Sequence, residues 1–192
     1  PNRLVAATTT PKLVDLLSDG EVDDPANLSS FDYQDGIDTL KNIDGINILC
    51  IPDAAAHAES ITIQKALIQH CLEMRDRFAI LDSWRNVLPT GPGSVEEQRL
   101  MVSAPNGFAA LYYPWLVVPD PLARGSQAAT TTVPPSGHIA GIYARTDNER
   151  GVHKAPANTD VRGVLGLEQR LTDGQQGPLN LEGINVLRIF PN

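Results

Sequence analysis

Ser136, His138 and Asp82 supply the three residue types of a serine hydrolase. Such an enzyme needs its serine exposed on a tight elbow, a histidine to take the proton, and a carboxylate to orient the ring. The elbow pattern G-x-S-x-G fails here, because Pro134 replaces the first glycine and His138 the last. Ser136 is better explained as a helix cap. Asp53 and Asp82 each follow a strand-like apolar run, the usual place for a catalytic or metal-binding carboxylate in α/β folds. Neither has a partner motif, and polar residues commonly end strands because loops begin there. Gly91-Pro92-Gly93-Ser94 precedes a helix, and helix N-termini attract anions. It lacks a P-loop lysine, a third glycine and a strand directly before it. Gly163 and Gly166 are equally well explained by a bulge or tight packing. The histidines His57, His70, His138 and His153 are dispersed, and Cys50 and Cys71 can form neither a closed zinc site nor a disulfide framework. We therefore expect no catalytic, metal or cofactor residues, no cofactor and no enzyme.

The elements around these residues alternate between helix and strand. Pro1 to about Asp32 is poorly periodic, with one short helix expected around Leu13–Leu17 and acidic loop residues from Asp19 to Pro25. From Asp35 onward, Ile37, Leu40 and Ile43 share a helical face, and Gly45 stops the helix. Ile46–Ile51 is a strand ended by Pro52. Ser60 opens a helix whose inner face holds Ile63, Ala66, Leu67, Cys71 and Met74. Phe78–Leu81 is a buried-type strand, and Ser94 with Glu97 forms a capping box for a short helix. Phe108–Val118 reads as one strand interrupted at Pro114, and Pro119–Val133 as a long polar loop. Ser136 then caps a helix with Ile139, Ile142, Tyr143 and Thr146 inside and Gly151 at its stop. A strand near Val161–Leu167, a loop and a last strand within Asn185–Phe190 complete the chain. The order implies βα crossovers and an α/β fold: a mainly parallel central sheet with helices on both faces.

Composition narrows the function. The 192 residues suit one ordinary domain, or one with a small appendage, able to bury a real core. Its 15 glycines and 15 prolines predict many turns. A net charge of −8 argues against a nucleic-acid partner and against adsorption to a membrane surface. No apolar run approaches the roughly 18 residues of a membrane span, and no signal-peptide pattern opens the chain. We expect a soluble, acidic protein made inside the cell.

From Val133 onward a series of blocks resembles a known family. These are Pro134-Pro135-Ser136-Gly137, Ala140-Gly141, Ala144-Arg145-Thr146-Asp147 and Arg150-Gly151-Val152-His153-Lys154-Ala155-Pro156-Ala157-Asn158. They continue through Gly163-Val164, Leu167-Glu168, Leu171-Thr172 and Leu179-Asn180 to Gly183-Ile184-Asn185-Val186-Leu187-Arg188-Ile189-Phe190-Pro191. Upstream, Asp76-Arg77-Phe78-Ala79-Ile80-Leu81-Asp82, Tyr112-Tyr113-Pro114-Trp115 and Asp120-Pro121 belong to the same pattern. In order and spacing they resemble the sheath protein of contractile phage tails and related contractile injection systems. The resemblance covers roughly residues 36–192. His153 departs from it, standing where the family usually has tryptophan, and the N-terminal third matches loosely.

The resemblance implies residues 1–34 as an irregular acidic segment and 35–192 as the α/β core of a sheath subunit, cut before a C-terminal domain. It implies hexameric rings stacked helically around an inner tube, with baseplate and tail-terminator proteins as further partners. The setting would be a virion tail or injection particle assembled in the bacterial cytoplasm. Arms from neighbouring chains would add strands to a subunit's sheet. Contraction would exchange one interface packing for a more stable one, with no cofactor or hydrolysis. Arg145, Asp147, Glu149, Arg150 and Lys154 would form a mixed-charge cluster that trades partners between packings. Two rivals from other classes are a serine hydrolase using Ser136, His138 and Asp82, and a surface module gripping a glycan with the Arg124–Thr132 loop.

Overall fold

The computed structural model describes residues 27–104, 106–123 and 129–190. Its first half contains α1 (Ser30–Thr39), β1 (Ile48–Cys50), α2 (Ser60–Met74), β2 (Phe78–Asp82), α3 (Val95–Met101) and β3 (Ala109–Tyr113). Its second half contains β4 (Leu116–Pro119), β5 (Thr130–Val133), α4 (Ser136–Arg150), β6 (Gly166–Leu167), α5 (Asp173–Leu181) and β7 (Ile184–Val186). Short 3₁₀ turns cover Leu40–Asn42 and Pro52–Ala56. The expected Leu13–Leu17 helix lies outside the described residues.

The central sheet has the order β1-β2-β3-β7, and every pairing in it is parallel. Each step moves to the next strand in one direction. Crossovers of one hand therefore deliver their helices to one face. That face carries Ala79, Leu81, Leu111, Tyr113 and Ile184 of the sheet, packed with Leu67 and Cys71 of α2, Val95 of α3 and Leu179 of α5. Ile37 of α1 joins the same cluster. The opposite face shows Ile80 and Tyr112 and receives α4 through Ile139 and Ile142. There Tyr143 stacks on Phe78 at 5.5 Å, and its hydroxyl lies 3.1 Å from that of Tyr112. The parallel sheet with helices on both faces is thus present.

Several local expectations need correction. Phe108–Val118 is two strands, separated at Pro114, which follows a cis peptide bond. β4 leaves the parallel sheet and forms a second, antiparallel one in the order β5-β4-β6. Part of the expected Pro119–Val133 loop is therefore strand: Thr130–Val133 pairs with β4, as suits its β-branched residues. The strand near Val161–Leu167 shrinks to Gly166–Leu167. Helix α5 occupies part of an expected loop, opened by Thr172, whose backbone N–H donates to Gln175 Oε1 at 3.0 Å. The helix expected from Asp35 starts earlier, at Ser30. Ser94 does cap α3, accepting from Glu97 N at 3.2 Å, while Glu97 reaches back to Gly93 rather than to Ser94.

The cap of α4 is also different. Ser136 is its first residue and is fully buried, and its backbone N–H donates to Asp82 Oδ1 at 2.7 Å. A carboxylate at the end of β2 thus satisfies an orphan amide of a helix 54 residues away. The Asp82 carbonyl faces the other layer and accepts from Gln64 Nε2 of α2 at 2.9 Å and Gln98 Nε2 of α3 at 3.1 Å. Gln98 completes the junction by donating to Gln64 Oε1 and accepting from Trp84 N. One residue therefore ties both helical layers to the sheet. A second staple is Arg77, whose guanidinium pairs with Asp76 and donates to the Leu40 carbonyl at 3.0 Å. That bond fixes the turn after α1 against the start of β2.

Burial pushes the Asp82 carboxyl up to about 7, against the backbone hydrogen bond from Ser136 that favours its charge. The protonated form is thus bound more tightly in the fold than in the unfolded chain. Its stabilisation is complete below pH 4 and is lost as pH rises through 7, about 4 kcal/mol in all. Asp82→Asn keeps the acceptor for Ser136 N and removes the titration. Urea denaturation from pH 4 to 8 should show a wild-type-minus-variant difference that falls by several kcal/mol; a constant difference would refute this. Gln98→Leu should cost about 2–4 kcal/mol at any of these pH values, because Trp84 N and the Gln64 carbonyl lose a buried partner.

Candidate assembly interface

Ligands of open α/β sheets bind beyond the carboxyl ends of the parallel strands; here a cavity of about 10 Å³ lies beside Ile51, Gln64 and Asp82. Ligand crevices in open α/β sheets form where the strand order reverses and adjacent connections part to opposite faces. The order β1-β2-β3-β7 contains no reversal among the described residues. Polar groups at those ends join the layers, Asp82 with α4, α2 and α3 and the Ser83 carbonyl with Trp115 Nε1 at 2.7 Å, while Asp82 Oδ2, Ser83 Oγ and Ser136 Oγ are buried there without a hydrogen-bond partner among the described residues.

The hydrolase triad does not assemble. Ser136 is buried, and His138 stands two positions later on the same helix, where side chains do not face each other. Asp82 binds the serine's amide rather than an imidazole. Asp53 is exposed in the turn after β1. Cys71 is buried in the core and its thiol is pushed up to about 11 by burial; Cys50 is half-buried and shifted the same way for the same reason. Buried, protonated thiols of this kind are small apolar groups, not nucleophiles. No group of three or more His, Cys, Asp or Glu among the described residues is placed to hold a metal. The proposed glycan loop is divided, with residues 124–128 outside the described part and Thr130–Thr132 built into β5. No described helix is long and apolar enough to cross a membrane.

The surface offers more than the strand ends do. Arg145, Asp147, Glu149 and Arg150 follow the last turns of α4, and Lys154 stands just beyond Gly151, which ends the helix with φ 87°. Glu149, Arg150 and Lys154 are exposed, and Arg145 and Asp147 half-buried. Arg145 donates to the Asp160 carbonyl at 3.3 Å, and Lys154 to that of Ala155 at 3.2 Å. Ion pairs among the described residues join Lys41 to Asp38 and Glu73, Arg77 to Asp76, Arg85 to Glu168, and Arg188 to Asp173. None involves the five charges of this cluster. They are gathered within ten residues, and Arg145 and Lys154 each give one bond to a backbone carbonyl.

Beside this cluster runs an irregular, largely exposed segment, 151–165, with Val152 86% exposed. Among the described residues, β1 and β7 flank the parallel sheet, and β5 and β6 flank the antiparallel one, each paired on one side. The signal of β5, three consecutive threonines and a valine, lies within the polar stretch Pro119–Val133.

A family model described as the phage tail sheath protein central domain matches residues 26–192, all but the first 25. No curated protein matches the sequence. Among solved structures, the chain is similar to one from the anti-feeding prophage (AFP) baseplate, with 30% identity and a TM-score of 0.64 over 86% of this chain and 40% of that one. It is similar to the AFP helical sheath in its contracted state, with 32% identity and a TM-score of 0.62 over 87% of this chain and 41% of the other. It also resembles the contracted PVC sheath of an extracellular contractile injection system, with 27% identity and a TM-score of 0.58 over 93% and 50%. The chain thus spans about two-fifths to half the length of these relatives. The sequence blocks, the order of the parallel strands and these likenesses agree: the chain belongs to the phage tail sheath protein family, over its central domain.

Proposed function

We propose that this chain forms the α/β core of a subunit that polymerises around an inner tube and contracts to drive it through a target envelope. The observation carrying this reading is the 32% identity to the contracted AFP helical sheath over 87% of the chain. Such a subunit joins six-membered rings stacked helically, meets baseplate and terminator proteins at the two ends, and works in a virion tail or injection particle. It is not an enzyme. Its work comes from the free-energy difference between two sets of interfaces, which calls for a stiff core with polar, exchangeable surfaces.

The mixed charges at the end of α4 fit that demand. Arg145, Asp147, Glu149, Arg150 and Lys154 exchange partners between the extended and the contracted packing. Exposed charges contribute little within a monomer, so their signs act at contacts between subunits. Open strand edges supply the second kind of contact, through added strands from neighbours. By themselves the 192 residues remain monomeric, because the family relatives carry more than this core.

Negative-stain electron microscopy of the protein expressed from its complete reading frame tests the reading. Long hollow striated tubes are the expected result; monomers that persist even with tube and baseplate proteins would overturn it. Arg150→Glu combined with Lys154→Glu should leave unfolding within about 0.5 kcal/mol of wild type. The same pair should lower tube yield about tenfold, corresponding to about 1.4 kcal/mol at the contact. Sedimentation of residues 1–192 should give monomers, and stable hexamers would contradict the assignment of assembly to further segments.

A further inference from the structure

Of the asparagines in the chain, Asn106 alone is followed by a glycine. Asn106 and Gly107 stand on the connection between α3 and β3, and both are exposed. Gly107 has φ 71°, a left-handed backbone that residues with a β-carbon rarely adopt. Its amide N–H donates to the Ala104 carbonyl at 3.1 Å. That bond lies in an exposed turn, so local fluctuation frees the nitrogen.

An asparagine side chain can close a five-membered ring onto the next backbone nitrogen, which makes the residue thermolabile. A β-carbon on the following residue crowds that approach, and a glycine does not. Asn86 and Asn158 are exposed too and have positive φ, at 56° and 53°. They are followed by the β-branched Val87 and Thr159. Asn148 and Asn180 lie in α4 and α5 and Asn185 in β7. There the regular hydrogen bonds of helix and strand hold the backbone away from the ring geometry.

We propose that Asn106-Gly107 is a spontaneous modification site, at which the asparagine is converted to a carboxylate through a succinimide. The Gly107 nitrogen gives up its proton to solvent base and bonds to Asn106 Cγ. The Cγ–Nδ2 bond then breaks, and the side-chain nitrogen leaves as ammonia with a proton returned from solvent. Water opens the ring at one of its two carbonyls. Cleavage of the Cγ–N bond yields aspartate, and cleavage at the main-chain carbonyl yields isoaspartate. No oxidant, reductant or enzyme enters the balance.

Either product adds one negative charge to a chain of net charge −8. Asn106 borders a surface hollow of about 740 Å³ together with Gln69, Leu72, Glu73, Arg75 and Phe108. Glu73 is paired with Lys41 at 3.2 Å. The new carboxylate therefore shares the hollow with Arg75, an opposite charge. The site makes the charge of this face depend on the age of the protein, whatever the chain assembles into.

Incubation of the 192-residue chain at pH 8, followed by tryptic digestion and mass spectrometry, tests the proposal. The peptide Leu100–Arg124 contains one asparagine and no glutamine, so a gain of about one dalton in it reports Asn106. It should accumulate at least about tenfold faster than the same gain in Ala155–Arg162, which reports Asn158. Equal rates, or no gain at Asn106, would overturn the proposal. Aspartate and isoaspartate should both appear on separation of the product. Aspartate alone would point to direct hydrolysis of the side-chain amide and overturn the ring route. Gly107→Ala should slow the gain about tenfold, and an unchanged rate in the folded variant would also count against it. Should alanine at this φ prevent folding, the comparison of Asn106 with Asn158 in the unsubstituted chain decides.

Discussion

The architecture hangs on the two-sided use of Asp82. Its carboxylate holds the first amide of α4 on one face of the sheet, while its carbonyl receives glutamines from α2 and α3 on the other. A single strand end is thereby bonded to both layers. The arrangement accepts the burial of a titratable group, which an apolar residue would avoid. In exchange it fixes where α4 begins. That start matters because α4 covers the second face through Ile139 and Ile142, and any slip would uncouple it from Ile80 and Tyr112.

Elements whose evidence is local were legible in the sequence. β2, α2 and the glycine stop of α4 follow from apolar spacing and from the backbone freedom of Gly151, with φ 87°. Features that depend on distant residues were not. Nothing near Ser136 announces that its amide partner lies at position 82, so the serine was assigned the capping role that Asp82 performs. Thr130–Val133 looks polar because it forms an outer strand of the small sheet and is only partly buried, so hydropathy alone conceals it. In α5, Gly174, Gly177 and Pro178 mask a helix whose Thr172 and Gln175 are a readable capping signal.

Family blocks in the sequence correspond to physical junctions rather than to a reaction centre. Asp76-Arg77 forms the staple that anchors the turn after α1. Tyr113-Pro114-Trp115 is the passage between the two sheets, with the Trp115 indole tied to Ser83 at the end of β2. Arg188 near the end pairs with Asp173 at the start of α5 and lies over Phe190, closing the last helix against the last strand. In these blocks the residues that carry the resemblance join strands, helices and their connections.

That distribution places the polar side chains of the strand ends inside the fold and those of the cluster after Thr146 at its surface. Among the described residues the monotonic parallel order has no reversal at which a crevice opens, and at the end of β2 one Asp82 carboxylate oxygen and the Asp82 and Ser83 carbonyls bond to other elements. Polarity free for outside contacts is displaced to the periphery, at the end of α4 and along open backbone edges. A core that spends its buried hydrogen bonds on internal registration resists bending, because moving one layer would orphan donors at Asp82. Exposed charges can exchange partners with little change in internal energy, since solvent screens them in both states. Stiffness inside and exchangeability outside are the two mechanical properties that a subunit needs if it is to change neighbours without changing shape.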